Sequence, residues 1–323
     1  MTRQELVTAA IEHRETTRVP YNVRPDSRMS EKLRAQLGWS EPRATLLGAM
    51  DLNEWFDNDV EMVRLPWWTW HELEADWRGV YPPTSLPKTR GTGSYDSFYD
   101  DLKALRDQTD RYVLAMVYGS HFEKANAARG IENFLMDVGG DFAFAKRLCT
   151  LIIDRNMAML ENVLHCPEID GILLGSDWGS QRGLLMSPDV WDELIRPGEQ
   201  REYDLVHAYG KHVWVHSCGK IDGLIPRLAD MGVDVLNPLQ PECMDIAAIK
   251  DEVGDRMAFW GGINTQQTLP FGTPDEVRAE SRRTRDLLSR GGGYIFAPAQ
   301  DVQGDVPLAN LEALLEVARE GRL

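Results

Sequence analysis

Long apolar runs are missing from this 323-residue chain. None approaches the roughly 20 residues that a membrane-crossing helix needs, so no membrane association is expected. Cysteine is scarce. Cys149, Cys166, Cys218 and Cys243 are too few and too scattered to form a disulfide framework; they read as buried thiols or metal ligands. Linkers rich in glycine, serine or proline, low-complexity tracts and 20–50-residue repeats are also lacking, which leaves one domain over 1–323. Basic residues are outnumbered, 35 against 51 acidic, for a net charge of −16. Such a field repels phosphate backbones and anionic lipid. Nucleic acid is not expected as a partner, although a local basic pocket stays open. The first residues, MTRQELVTAAIEHRE, are charged and helical in pattern and do not read as a signal peptide. A cytoplasmic protein is expected.

Hydrophobic residues make up 43% of the chain, enough for a large core. The second half alternates regularly. GILLGSD (171–177), KHVWVHS (211–217), VDVLNP (233–238), MAFWGGI (257–263) and GGYIFAP (292–298) are short and almost wholly apolar, as strands covered on both faces are. Between them lie helical stretches with clear start and stop signals. Ser187-Pro188-Asp189 opens a helix to about Tyr209, Thr273-Pro274-Asp275-Glu276 opens one to Arg290, and Pro307 opens the last. Alternation of this kind means parallel strands joined by crossover helices. TRVPYNV (17–23), VEMVRLP (60–66) and YVLAMVY (112–118) bring the expected strands to eight. The expected class is therefore α/β, a single (β/α)8 TIM barrel with N-terminal helical additions. An open doubly wound sheet would favour a glycine-rich phosphate loop after an early strand, and none is present. The Trp-rich segment 67–111 is expected as an insertion over the barrel mouth.

In such barrels the reactive groups sit where strands end. Tyr118, Gly119, Ser120 and His121 follow one strand, and Ser176, Asp177 and Trp178 another. His216 and Cys218 end a third, Asn237, Gln240 and Glu242 a fourth. Asn264 follows Ile263, and Gln300 and Asp301 follow Pro298. His216 and Cys218 are two apart, so a strand points both side chains to one side. Imidazole and thiolate together suit zinc; the alternative is a buried thiol beside a histidine bonded within the barrel. A third ligand is needed, with Glu242 or Cys243 first and Asp177, Gln300 or Asp301 in reserve. Asp177 is a candidate general acid, substrate clamp or partner of His216, against a plain loop cap. Asp177, Asn264 and His121 are the candidate catalytic residues. Arg24, Arg28, Asn237, Gln240 and Trp178 are the candidate substrate contacts. Arg24 and Arg28, four apart, could fork a carboxylate or form a solvated helix face. His13, His165, His207 and His212 read as surface or packing residues on helices or at their ends.

The stretches GSDWGSQRGLLMSPDVW, HAYGKHVWVHSCGKIDGLIPRLADMGVDVLNPLQPE, FWGGINTQQTLPFGTPDEV and GGYIFAPAQDVQGDVP, from about Gly175 to Pro307, resemble the uroporphyrinogen decarboxylase superfamily. That superfamily holds the decarboxylases of haem synthesis and the zinc methyltransferases that serve corrinoid proteins and coenzyme M. The resemblance implies a (β/α)8 barrel. The methyltransferases bind zinc through an H-x-C pair, matched by His216 and Cys218, and a later Cys, whose place falls at or near Gln300. A related zinc methyltransferase fold carries an acidic ligand at a similar distance after the pair, which puts Glu242 forward instead. The decarboxylases carry Arg-Gln-Ala-Gly-Arg where this chain reads Arg24-Pro-Asp-Ser-Arg28. Their acid near the second strand has no counterpart at the end of VEMVRLP. Their Tyr falls near Asn126, and their late His near Gln300. The resemblance therefore leans to a zinc-dependent methyltransferase, with zinc as cofactor and a corrinoid on a separate protein as partner. The alternatives are a cofactor-free decarboxylase of a carboxylated pyrrole and a non-catalytic binding protein on the same barrel. A homodimer stays open.

Overall fold

The computed structural model describes residues 1–117 and 121–321; Tyr118, Gly119 and Ser120 lie outside the described residues. Among the described residues eleven strands occur in chain order: β1 (Val60–Arg64), β2 (Trp67–Trp70), β3 (Thr89–Thr92), β4 (Tyr112–Met116), β5 (Gly171–Gly175), β6 (Gly179–Ser180), β7 (Gly183–Leu184), β8 (His212–His216), β9 (Val235–Leu239), β10 (Ala258–Ile263) and β11 (Tyr294–Pro298). Seven of them form one curled parallel sheet in the order β1-β4-β5-β8-β9-β10-β11. Spatial order equals chain order, as successive βαβ units require. β2 with β3, and β6 with β7, are small antiparallel pairs.

The segment 17–23, expected as a strand, runs between the two edges of this sheet without forming a ladder. Asn22 N–H donates to Phe296 O (3.0 Å), Phe296 N–H to Pro20 O (2.8 Å) and Asp59 N–H to Tyr21 O (3.0 Å). Pro20 has no N–H to give. Side chains satisfy much of the rest: the Asp59 carboxylate accepts Tyr21 N–H, and the Asn58 amide bonds both N–H and C=O of Val23. Extended backbone results, tied to β1 and β11, with a single bridge from Tyr21 to Phe296.

Period-two alternation divides the core. One face of the sheet packs against the helices in the larger apolar cluster. The other face gathers Val60, Tyr112, Leu114, Leu173, Trp214, Val235, Ala258, Trp260, Ile295 and Ala297 in a second one. Helix Arg3–Ile11 plugs that inner cluster with Val7 and Ile11. It is fixed at the N-terminal strand ends, where Gln4 N–H reaches Asp110 O and Gly293 N–H reaches Ala10 O. The inner face is thus closed by apolar packing at one end, which leaves the C-terminal strand ends for chemistry.

Expected helix 188–209 is two helices, Pro188–Leu194 and Arg196–Ala208. Pro197, which lacks an N–H, forces the break at Ile195. Helices Ile246–Val253, Pro274–Leu288 and Leu308–Ala318 follow the expected pattern, the second with a Thr273–Glu276 capping box. His212 opens β8 and does not sit on a helix. Its Nδ1 lies 2.9 Å from the Tyr112 hydroxyl.

Segment 67–111 forms the β2–β3 pair and helix Phe98–Gln108. Its tryptophans turn sideways onto neighbouring helices. Trp68 Nε1 donates to Asn156 Oδ1 and Trp70 Nε1 to Lys124 O, while the Lys124 ammonium sits over the rings of Trp67 and Trp68. Among the described residues no helix is long and apolar enough to cross a membrane.

Candidate functional site

β8 places His212, Trp214 and His216 on the inner face by alternation. Trp214 belongs to the inner core, and His216 is the first residue of that row to reach the open end. Gly175 ends the neighbouring β5, paired with His216. It has φ +134°, and a Cβ there would collide with the His216 backbone, so only glycine lets the two strands meet at this point. Two residues past it, Asp177 turns towards His216.

Three donors converge. Cys218 Sγ lies 3.3 Å from His216 Nε2, and Asp177 Oδ1 lies 3.5 Å from the same nitrogen. The ligand-capable atoms of Asp177, His216 and Cys218 all fall within 4.8 Å of one another. Asp177 is held from both sides. Its N–H donates to Glu123 Oε1 (2.6 Å), and its Oδ1 accepts the N–H of Cys218 (2.8 Å).

The tautomer of His216 follows from its neighbour. Asn237 Nδ2 donates to Trp260 O (3.0 Å), which turns the amide oxygen to His216 Nδ1 at 2.6 Å. That oxygen can only accept, so Nδ1 carries the proton and Nε2 faces Cys218 as the basic nitrogen. Burial pushes the Cys218 thiol up to about 12, and the Asp177 carboxylate adds to the shift. Burial likewise raises the Glu123 carboxyl to about 7. One oxygen, one nitrogen and one sulfur donor around one point, with the imidazole in its ligating tautomer, form a set that fits zinc. Three protein donors would leave a fourth position open on such an ion.

A cavity of about 260 Å³ opens on these residues, walled by Met62, Met116, Leu173, Trp260 and the 297–301 turn, with Arg24 and Asn22 at one side. Gln300 lines it, its amide 3.6 Å from Cys218 Sγ. Arg24 lines it too, 3.9 Å from Asp301. Gln240 braces the turn after the cysteine by accepting Gly219 N–H (3.0 Å).

Other candidates stand elsewhere. Glu242 lies outside the donor group, where its Oε1 accepts the N–H groups of Thr265 and Gln266. Asn264 caps the same loop through the N–H groups of Gln266 and Gln267. Trp178 is fully buried, edge-on to Trp191 at 5.3 Å, and does not line the cavity. Arg28 is exposed on helix Ser27–Gln36 and lines no cavity wall near the donors. His121 is buried against Glu199, Nδ1 to Oε1 2.7 Å, in a separate group with Glu202. Met62, Met116 and Glu123 escaped the sequence reading. The two methionines could have been found by counting in twos along β1 and β4. Glu123 had no such signal, because it reaches the Asp177 loop from helix His121–Arg129, far off in sequence.

A curled parallel sheet whose C-terminal strand ends carry this donor set defines the class as α/β. The sequence profile of the uroporphyrinogen decarboxylase family (URO-D) matches residues 77–321, well over half of the chain, and the chain belongs to that family. Its relatives are enzymes of two kinds. It is 29% identical over 136 residues to a methylcobamide:CoM methyltransferase of Methanosarcina barkeri, covering 42% of this chain and 38% of that protein. It is 31% identical over 215 residues to a uroporphyrinogen decarboxylase of Chlorobium phaeobacteroides, covering 61% and 58%. The chain thus spans less than two thirds of the length of either. A solved methyltransferase from Methanosarcina mazei superposes with a TM-score of 0.70 over 99% of both chains at 17% identity, a likeness of fold.

Proposed function

We propose that this chain is a zinc-dependent methyltransferase, moving a methyl group between a small methylated donor or a corrinoid and a thiol or corrinoid acceptor. The observation that carries the reading is the Asp177–His216–Cys218 donor group, with Asn237 fixing the imidazole. Zinc bound there would hold an acceptor thiol as thiolate near neutral pH. The residues do the rest. Asn237 keeps His216 Nε2 aimed at the site, Glu123 and the Cys218 N–H orient Asp177, and Gln300 flanks the sulfur. Met62, Met116, Leu173 and Trp260 exclude water from one wall. A methylated corrinoid as donor fits the name of the methylcobamide:CoM methyltransferase relative, and in this proposal a separate protein presents it at the open strand ends.

The architecture proposed with this function is a single domain over 1–323. Its sheet closes as a (β/α)8 barrel through 17–23, with 67–111 as an insertion. Support comes from the hydrogen bonds of Pro20, Tyr21 and Asn22 to both sheet edges.

Methylcobalamin demethylation, followed by its visible spectrum with a panel of thiols, tests the activity. Transfer by the zinc-loaded parent and none by Cys218→Ala is expected. A parent that carries zinc yet demethylates nothing with any thiol counts against the reading. Arg24 in the cavity wall, with the decarboxylase relatives, favours a second reading: cofactor-free decarboxylation of a carboxylated pyrrole. Uroporphyrinogen turnover by metal-free protein would select it.

A further inference from the structure

Away from the strand-end site, a second group of donors is buried between helices. Helix Arg196–Ala208 turns Glu199 and Glu202 inward, three residues apart and therefore on one face. Neither is exposed to solvent. Helix His121–Arg129 brings His121 to them, with its Nδ1 2.7 Å from Glu199 Oε1. One ligand-capable atom from each of the three lies within 4.8 Å of the other two. Glutamates are almost never fully buried unless a cation meets them. Glu199 has no lysine or arginine within ion-pair distance among the described residues, and His121 is its ion-pair partner. A protonated imidazole supplies at most one positive charge against two carboxylates.

Two polar atoms stay unanswered there. Glu199 Oε2 and the Tyr203 hydroxyl have no hydrogen-bond partner among the described residues. Tyr203 is fully buried. Burial, and after it the nearby Glu199 carboxylate, holds the Tyr203 phenol well above its ordinary value. A small cavity of about 90 Å³ connects the group to the surface: His121, Cys149 and Gly198 line it together with exposed Lys146, Thr150 and Glu193. Gly198 keeps that space clear, since a Cβ there would collide with the His121 imidazole.

We propose that His121, Glu199 and Glu202 bind a divalent transition-metal ion, with the Tyr203 hydroxyl beside it. Two positive charges balance the two carboxylates and leave the imidazole neutral, as a ligand must be. Cys149 lines the cavity but lies outside the donor group, so the set is one nitrogen and two oxygens without sulfur. It is harder than Asp177, His216 and Cys218, and suits Mn²⁺ or Fe²⁺ where the other suits zinc. The ion ties helix Arg196–Ala208 to helix His121–Arg129, whose Glu123 holds Asp177. The site is independent of the methyl-transfer reading.

Titration of the zinc-loaded protein with Mn²⁺, followed by the electron paramagnetic resonance signal of the free ion, is the test. One Mn²⁺ per chain is expected, at unchanged affinity in Cys218→Ala and at least tenfold more weakly in Glu199→Gln. Glutamine keeps the shape and the oxygen that His121 meets, and removes only the charge. Metal-free Glu199→Gln should therefore melt no lower than the metal-free parent, and Mn²⁺ should raise the melting temperature of the parent but not of the variant. No saturable Mn²⁺ binding, equal affinity in Glu199→Gln, or loss of the site in Cys218→Ala overturns the proposal. A metal-free variant that melts below the parent, with no Mn²⁺ gain in the parent, marks a plain buried ion pair and also overturns it. Anomalous diffraction from Mn²⁺-soaked crystals of the zinc-loaded parent locates the ion without any variant. A peak among His121, Glu199 and Glu202 is expected; a peak only elsewhere, or none, contradicts the assignment.

Discussion

Asn237 sets the proton of His216: its amide oxygen stands 2.6 Å from Nδ1 because its amide nitrogen is committed to Trp260 O. The ring therefore offers Nε2, the nitrogen beside Cys218 and Asp177. Partners that hold the remote nitrogen of a ligating histidine are typically worth about 10–100-fold in metal affinity. Asn237→Ala is accordingly expected to weaken zinc binding by about that factor, measured by competition with a chromophoric chelator. Affinity equal to the parent's would show that the tautomer is not set by this bond.

The buried Cys218 thiol, pushed up to about 12, is protonated at neutral pH. Only its thiolate is a ligand, so metal must displace that proton. Zinc uptake at pH 8 should release one proton per chain in weakly buffered calorimetry, and the parent's affinity should rise by about tenfold per pH unit between 7 and 8. Cys218→Ser should release none. Uptake without proton release in the parent would remove Cys218 from the ligand set.

Glu123 gives a pH signature of its own. Its folded carboxyl is raised from 4.5 to about 7 by burial, so the folded state binds the proton more tightly than the unfolded chain does. Its contribution to stability is full below about pH 4.5 and is lost as pH rises to about 7. A shift of that size corresponds to on the order of 3 kcal/mol. Metal-free parent should lose stability relative to Glu123→Gln across that window in urea melts. Parallel pH profiles for the two proteins would contradict this account.

Trp178 and Gln300 should separate stability from chemistry. Trp178 is fully buried against Trp191, and Trp178→Ala should cost about 3–5 kcal/mol. Gln300 is exposed beside the sulfur. Gln300→Ala should leave stability within about 0.5 kcal/mol while lowering the rate of thiol methylation. Denaturant midpoints and single-turnover rates distinguish the two.

The sheet was legible because β5, β8, β9, β10 and β11 are short apolar runs closed by helix caps, a pattern that depends only on neighbours in sequence. His216 and Cys218 were legible for the same reason, since alternation in twos is local. The segment 17–23 was legible only as extended chain. Its missing ladder depends on the Asn58 and Asp59 side chains, which lie far along the sequence. The third donor was harder to find. Asp177 stood in reserve behind Glu242, because distance in sequence says nothing of which strand-end loop bends inward. The N–H of Cys218 and the carboxylate of Glu123 draw Asp177 to the pair. Glu242 is occupied by the backbone of Thr265 and Gln266.

Elemental analysis of protein purified without a metal-binding tag tests the central claim most directly. One zinc per chain is expected in the parent, lost in Cys218→Ala and reduced in Asp177→Ala. A parent that takes up no zinc even when it is supplied, or variants that retain it in full, would contradict the account.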